Sequence, residues 1–124
     1  MADASVVKAV EEYLAAVRRS GIRVERGILF GSHARGDARP ESDVDVLIIA
    51  SEFDEPYDPR RIDLLWELRA HTDSRIEPIA VGERQWREDR SNPLIEIARR
   101  EGVVIAPMRR PRDVEERSSG AAKG

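Results

Sequence analysis

Apolar residues recur along the chain with two different periods, and these periods predict the order of helices and strands. Over Ala4–Arg19 they return every three or four residues, which is the period of one helix face. Over Val44–Ala50 they run almost without interruption, which is typical of a strand covered on both faces. Shorter strand patterns lie at Ile22–Phe30 and Arg75–Val81. We therefore expect a helix followed by three strands, separated by loops and further helices.

The second half of the chain carries two more helix patterns. Apolar side chains group on one face over Arg60–His71, and Asn92-Pro93 is a typical cap and first position for a helix that runs to Glu101. Gly102 is placed to end that helix, and residues 103–106 predict a last short strand. Pro78 removes a backbone donor from the third strand, which favours either an edge position in the sheet or a local irregularity there.

These patterns place one domain in residues 1–106. From residue 107 to residue 124 no apolar period continues, and arginine, glutamate, serine and glycine dominate. We expect this segment to be a disordered tail. Trp66 and Trp86 both lie in amphipathic segments, which favours packing over base stacking as their role.

Composition narrows the class of protein. The chain has 124 residues, 40% of them hydrophobic, and its 36% charged residues nearly cancel to a net charge of -3. Such a balance disfavours nucleic acid as a partner without excluding it, because no global basic field is present. The absence of cysteine excludes disulfides, thiolate zinc sites and cysteine nucleophiles. The start of the sequence lacks a secretory pattern and no apolar run reaches the length of a membrane span, so we expect a cytoplasmic domain.

The first candidate chemistry lies at the start of the central strand. Asp43 and Asp45 are two residues apart, so a strand points both carboxylates to the same face. Two like charges at the edge of a buried strand repel each other and need partners. Those partners are either arginine or backbone donors, which gives a structural role, or a divalent cation, which carboxylate oxygens suit.

The second candidate lies upstream, where a predicted strand breaks at Gly31-Ser32. A glycine turn of this kind exposes backbone N–H groups and a hydroxyl, which together suit a phosphate. Arg35 lies in the same turn, where its guanidinium either reaches phosphate oxygens or pairs with a nearby Asp43, Asp37 or Glu41. We assign no chemistry to the neighbouring His33.

Together these segments resemble a known signature. Gly31-Ser32, ten further residues and then Asp43-Val44-Asp45 resemble the motif of the polymerase-beta-like nucleotidyltransferase superfamily. The longer string, Gly-Ser-His-Ala-Arg-Gly followed by Glu-Ser-Asp-Val-Asp-Val-Leu-Ile, is similar to its minimal nucleotidyltransferase (MNT) domains. The resemblance covers about Val24–Val81. It implies an α/β (α+β) fold, in which a small mixed sheet has flanking helices.

The resemblance also implies roles for the site residues. Gly31 and Ser32 are expected to contact the phosphates of ATP, and Asp43 and Asp45 to hold two magnesium ions, with manganese as a substitute. A third carboxylate of the family binds the second ion and activates the attacking hydroxyl. Glu77, the one acidic residue of the third strand, takes this place, where the family usually has aspartate.

The function that follows from the resemblance is transfer of AMP from ATP, and the acceptor is not written in the sequence. So short a chain leaves little room for an acceptor-binding domain, which suggests a partner protein. The resemblance suggests a small helical HEPN-type toxin, with this chain as the antitoxin, and the apolar faces of the first and last helices as its docking surface. The alternatives are a module that neutralises its partner by contact alone and an ATP-sensing domain without turnover.

Overall fold

The computed structural model of the protein describes residues 2–108 and shows one four-stranded sheet with helices on both faces. The strands are β1 (Val24–Phe30), β2 (Val44–Ala50), β3 (Ile76–Val81) and β4 (Val103–Ile105). The helices are α1 (Ala4–Arg19), α2 (Ser32–Arg35), α3 (Pro59–Arg69), α4 (Glu83–Glu88) and α5 (Pro93–Glu101), with a 3₁₀ helix at Ser51–Asp54. The bounds predicted for the first helix and the central strand match the observed ones.

The sheet has the order β3-β2-β1-β4 and is mixed. β1 runs antiparallel to β2 and to β4, whereas β2 and β3 are parallel and are joined by α3 as a crossover helix. The mixed sheet expected from the sequence is therefore confirmed. β3 lies at one edge of the sheet, which is one of the two alternatives that Pro78 indicated.

The two faces of the sheet bury different amounts of apolar surface. α1 and α3 cover one face, onto which β2 directs Val44, Val46 and Ile48. α4 and α5 cover the other face with a smaller cluster that includes Leu47 and Ile49. Because side chains alternate along a strand, Asp43 and Asp45 belong to this second, more thinly covered face. The thin cover leaves room for a site there.

The contact between α1 and the sheet is close. Tyr13 donates a hydrogen bond from its buried hydroxyl to the Leu65 carbonyl oxygen, at 2.7 Å, which joins α1 to α3. A Cβ atom at Gly27 of β1 would lie 2.9 Å from Cδ1 of Leu14. The apolar face of α1 is thus buried within the chain itself, and the expectation that a partner covers part of it is wrong.

The structure adds elements that the sequence patterns did not predict, the 3₁₀ helix and α4. Asp54, at the end of the 3₁₀ helix, accepts hydrogen bonds from the backbone N–H groups of Arg84 (2.8 Å) and Gln85 (3.2 Å). A Cβ atom at Gly82 would collide with the Asp54 carboxylate, so glycine is required where the two segments meet. A carboxylate from a distant segment therefore caps the start of α4.

The two tryptophans lie in different surroundings. Trp86 is partly buried against the smaller cluster, with the Arg99 guanidinium 5.3 Å from its ring centre. Trp66 is 40% exposed and has the Arg69 guanidinium 4.6 Å from its ring centre. Packing is therefore the observed role of Trp86, whereas Trp66 lies at the surface of α3.

After β4 the described chain returns to α1. Met108 donates its backbone N–H to the Glu11 carbonyl oxygen at 3.1 Å, and Pro107 is buried. Residues 109–124 of the predicted tail lie outside the described residues. Within residues 2–108, no helix has both the length and the apolar composition needed to cross a bilayer.

Candidate active site

The predicted site residues meet at the end of the sheet where β2 and β3 begin. Asp45 is paired with Phe30 across the antiparallel ladder and with Glu77 across the parallel one. Residues in register on neighbouring strands direct their side chains to the same face. The structure therefore places Asp45 between the end of β1 and the Glu77 carboxylate, and Asp43 lies two residues before it on the same face.

The three carboxylates disturb one another's ionisation. Burial raises the pKa of Asp45 above its ordinary value, and the neighbouring Asp43 charge raises it further, against the opposing charges of His33 and Arg35. Burial also raises the pKa of Glu77, as do the Asp43 and Asp45 charges and a hydrogen bond shared with Asp43. The site thus concentrates negative charge that favours either a bound proton or a cation.

Gly31 brings the glycine turn against this cluster. Its φ of 78° is the left-handed conformation that favours glycine, and a Cβ atom there would lie 2.5 Å from Oδ2 of Asp45. The Gly31 carbonyl oxygen accepts hydrogen bonds from Ala34 and Arg35, which starts α2 at Ser32. The turn predicted to receive phosphate and the carboxylate predicted to bind metal are therefore in direct contact.

The short helix is fixed from its other side by His33. This side chain is buried, and its Nε2 lies 3.0 Å from the Ser42 carbonyl oxygen, which only accepts hydrogen bonds. His33 thus ties α2 to the residue that precedes Asp43. This contact gives the histidine a structural role beside the site.

Arg35 lies between two carboxylates, only one of which was among its predicted partners. It contacts Oδ2 of Asp37 at 3.3 Å and Oε1 of Glu101 at 3.1 Å. The same Glu101 oxygen accepts the Gly31 backbone N–H at 3.3 Å. Glu101 is a site residue that the sequence patterns missed, because 70 residues separate it from Gly31 and no local motif marks it.

The partners of the three site carboxylates bear on whether these groups could hold a cation. In the part of the chain that the structure describes, Asp43, Asp45 and Glu77 take part in no ion pair. Over the same residues, no group of three or more histidine, aspartate and glutamate side chains is arranged as a ready metal cage. The donor chemistry nevertheless fits a hard divalent cation, since the three groups offer carboxylate oxygens, and burial together with their mutual repulsion raises the pKa values of Asp45 and Glu77.

Comparison with known proteins identifies a protein family whose model matches this chain. Residues 10–117 match the model of the family described as the nucleotidyltransferase domain. Two proteins of Methanocaldococcus jannaschii, both named provisionally as protein adenylyltransferases, are similar over shorter stretches. One is 45% identical over 49 residues, which make up 38% of this chain and 49% of the relative. The other is 61% identical over 31 residues, or 25% and 31% of the two chains.

The matched stretches span about half of the first relative and less than a third of the second.

Two solved structures share the fold. A provisional nucleotidyltransferase from Sulfolobus solfataricus has a TM-score of 0.58 at 21% identity and covers 81% of this chain and 78% of its own. A chain from a toxin–antitoxin structure with AMP-PNP has a TM-score of 0.56 at 18% identity and covers 91% and 90%.

Proposed function

Because this chain belongs to the nucleotidyltransferase domain family, we propose that it is a metal-dependent enzyme that transfers AMP from ATP to a partner protein. The observation that carries the proposal is the contact between Gly31 and the Asp45 carboxylate, with Glu77 in register beside it. This contact joins a turn suited to phosphate with carboxylates suited to cations. Chemistry on a triphosphate requires both in one place.

Asp43 and Asp45 are the residues that would hold divalent ions, with Glu77 as the third ligand. We propose magnesium, or manganese in its place, because these carboxylates offer only hard oxygen donors. When bound, such ions supply positive charge to the attacking and leaving oxygens of the transfer. The resting repulsion among the three carboxylates favours uptake of cations, since any cation relieves it.

The rest of the chemistry is assigned to side chains and backbone of this chain. Gly31 and Ser32 orient the outer phosphates, and Arg35 adds a guanidinium beside them. The acceptor hydroxyl forms a bond to the α-phosphorus while the bond from that phosphorus to pyrophosphate breaks. The hydroxyl proton passes to the Glu77 carboxylate, which lies in register with Asp45 on the neighbouring strand.

We propose that the acceptor is a protein hydroxyl and that the partner is a small helical HEPN-type toxin neutralised by AMP transfer in the cytoplasm. Support comes from the similar proteins named as protein adenylyltransferases and from the fold shared with a toxin–antitoxin chain. Exposed apolar side chains at Tyr57, Leu94 and Val104 offer contact surface for a partner.

A second candidate is a module that neutralises its partner by contact alone. The arrangement of the carboxylates favours it, because residues 2–108 contain no ready metal cage and the family's usual aspartate is replaced by Glu77. A domain that binds ATP without turnover is the third possibility. The three candidates differ in whether label is transferred, whether the partner is inhibited and whether ATP binds.

The test is incubation of the protein with α-labelled ATP, magnesium and the product of the adjacent gene. We expect label on the partner, and we expect an Asp43→Asn, Asp45→Asn double variant to lose it. Asp63→Asn, an exposed position on α3, is the matched control and keeps transfer. Inhibition of the partner without label supports the contact module, and ATP binding alone supports the sensor.

Thermal stability provides a reading that needs no acceptor. Magnesium with ATP should raise the melting temperature of the wild type, because a ligand that binds only the native state stabilises it. The double variant should lose this shift while the protein without ligand stays as stable as before. A double variant that unfolds would assign the two carboxylates to the fold instead.

Glu77→Gln separates proton transfer from binding. We expect its turnover to fall about 100-fold while the dissociation constant for ATP changes little, because the acceptor hydroxyl loses its base. Single-turnover transfer and equilibrium titration with ATP measure the two quantities. Unchanged turnover would remove Glu77 from this role.

A further inference from the structure

We propose that Glu101 is an internal competitor of the nucleotide, whose carboxylate occupies the phosphate-binding donors until a triphosphate displaces it. The inference rests on the proposed function, because it takes Gly31 and Arg35 as contacts of the phosphates. It assigns Glu101 a role that neither its sequence context nor the family motif indicates.

The first support is the identity of the groups that Glu101 contacts. Its Oε1 accepts the Gly31 N–H at 3.3 Å and lies 3.1 Å from Nη1 of Arg35. A backbone N–H and a guanidinium that converge on one anionic oxygen form the kind of arrangement that binds a phosphate oxygen. The Glu101 carboxylate oxygen is therefore contacted by the same kinds of donor that would contact a phosphate oxygen.

The second support is the place of Glu101 in the fold. It is the last residue of α5, and the next residue, Gly102, donates its N–H to the Ala98 carbonyl oxygen at 2.8 Å. A Cβ atom at Gly102 would collide with that carbonyl oxygen and with the Ile28 side chain. The backbone at this corner is thus tightly packed, so the glutamate side chain, and not the helix, has to move when a phosphate enters.

The consequence is a competition between two anions for the same donors. The Glu101 side chain is 29% exposed, so it has solvent to turn into when it leaves. Its negative charge also repels an incoming phosphate from close range. Both effects weaken nucleotide binding in the wild type, and removing the carboxylate from these donors should strengthen it.

The experiment measures the affinity of Glu101→Gln for AMP-PNP with magnesium and for inorganic tripolyphosphate without metal, by isothermal titration. We expect both ligands to bind about two- to fivefold more tightly than to the wild type, the range expected when one partly exposed charged contact is lost. Glu96→Gln is the control, since it removes the same charge from the same helix. In the wild type Glu96 pairs with Arg99, at 2.6 Å, and not with the phosphate-binding donors. This control variant should bind like the wild type.

Glu101→Asp separates the contact from the charge. It keeps the negative charge but withdraws the oxygens by about one bond length from Gly31, and it should also bind more tightly than the wild type. An affinity of Glu101→Asp equal to that of the wild type would overturn the inference, because it would show a general charge effect. Weaker binding by Glu101→Gln would do the same, because Glu101 would then support the phosphate site.

The outcomes also separate this inference from the proposed function. If the wild type binds AMP-PNP, and both Glu101→Gln and Glu96→Gln bind it with the wild-type affinity, only the inference is lost. If the wild type binds poorly and Glu101→Gln binds well, competition is supported directly. If neither protein binds AMP-PNP or tripolyphosphate, the proposed function fails and the inference fails with it.

Discussion

The two ends of β2 each place an aspartate against a glycine, and the two pairs have opposite surroundings. Where the strand begins, Asp45 lies against Gly31, with Glu77 in register beside it. Beyond the strand's end, Asp54 lies against Gly82 and accepts two backbone N–H groups from the start of α4. In both pairs glycine is required because a Cβ atom would meet the carboxylate.

The difference lies in what satisfies the negative charge. The Asp54 oxygens accept hydrogen bonds from the protein's own backbone, so this carboxylate stabilises the native state. Asp45 is crowded by other carboxylates, and burial together with the Asp43 charge raises its pKa. A protein keeps such an unfavourable cluster when the cluster has a function, because it contributes little to the fold. One end of β2 therefore carries a carboxylate that stabilises the fold, and the other carries the carboxylate cluster for which we propose a chemical role.

The largest expected effect is that of Asp45→Asn on nucleotide transfer. We expect transfer to fall by about 10²- to 10³-fold, because the protein loses a carboxylate that would hold the charge-stabilising cation at the transferred group. We expect the free energy of unfolding to stay the same or to rise, because the repulsion within the cluster is relieved. Label transfer and urea unfolding measure the two effects. A loss of stability without a loss of transfer would reverse the contrast.

The next effect in size is that of Gly31→Ala on stability. Alanine is strained at a φ of 78°, and its Cβ would lie 2.5 Å from the Asp45 carboxylate. We expect a loss of about 2 kcal/mol in the free energy of unfolding. In an Asp45→Ala background the collision is absent and about 1 kcal/mol should remain from the backbone strain alone. Urea unfolding of the four proteins of this cycle tests the expectation, and equal costs in both backgrounds would contradict the contact.

Asp54→Ala should lower stability by about 1 kcal/mol, because two N–H groups at the start of α4 lose their acceptor. In a domain of this size that loss lowers the melting temperature by about 5 °C. Calorimetry measures it. Transfer should keep its wild-type rate at low temperature, where the variant is folded. A variant that loses transfer while keeping its stability would place Asp54 in the chemistry as well.

The smallest effect concerns Asp73, a paired carboxylate close to the site. Hydrogen bonds from the Arg75 guanidinium and backbone N–H, at 2.7 to 3.0 Å, hold the pKa of Asp73 below its ordinary value of 3.8. The native state then binds fewer protons than the unfolded chain. The stability that the Asp73 carboxylate contributes is therefore complete above its ordinary pKa and is lost as the pH falls from there toward the pKa of the folded state.

Asp73→Asn should therefore cost under about 1 kcal/mol near neutral pH, since the pair is partly exposed. The difference from the wild type should shrink once the pH falls below about 4. Urea unfolding across this range checks the sign. A difference that grows toward acid would show that the Asp73 carboxylate is destabilised by folding.

The sequence predicted the elements whose signals are local. The bounds of α1 and β2 follow from apolar periodicity, and the start of α5 follows from Asn92, whose side chain caps Leu94 and Ile95. α4 was missed because it has only six residues and takes its cap from Asp54, 30 residues earlier. Long-range contacts of this kind leave no periodic pattern.

The candidate site likewise combines residues that a local motif predicts with residues that only long-range contacts bring in. The motif residues Gly31, Asp43 and Asp45 are close in sequence, and the structure brings them together with Glu77, as the parallel pairing of β2 with β3 requires. Their roles remain predictions. Glu101 was not foreseen, because its contact with the turn depends on where α5 ends, 70 residues after Gly31 in the chain. The partner of Arg35 was foreseen only in part, since Asp37 is local and Glu101 is not.

The close approach of α1 to β1 gives a protein engineer a way to tune this molecule without altering its chemistry. Gly27 faces Leu14 and Val46, on the side of the sheet opposite Asp45. A methyl group at residue 27 requires a shorter side chain at residue 14, so the two positions should be varied together in a library. Gly27→Ala combined with Leu14→Val is the smallest such exchange. A series of these pairs would give variants with a graded set of melting temperatures while the end of the sheet that carries Asp45 stays intact.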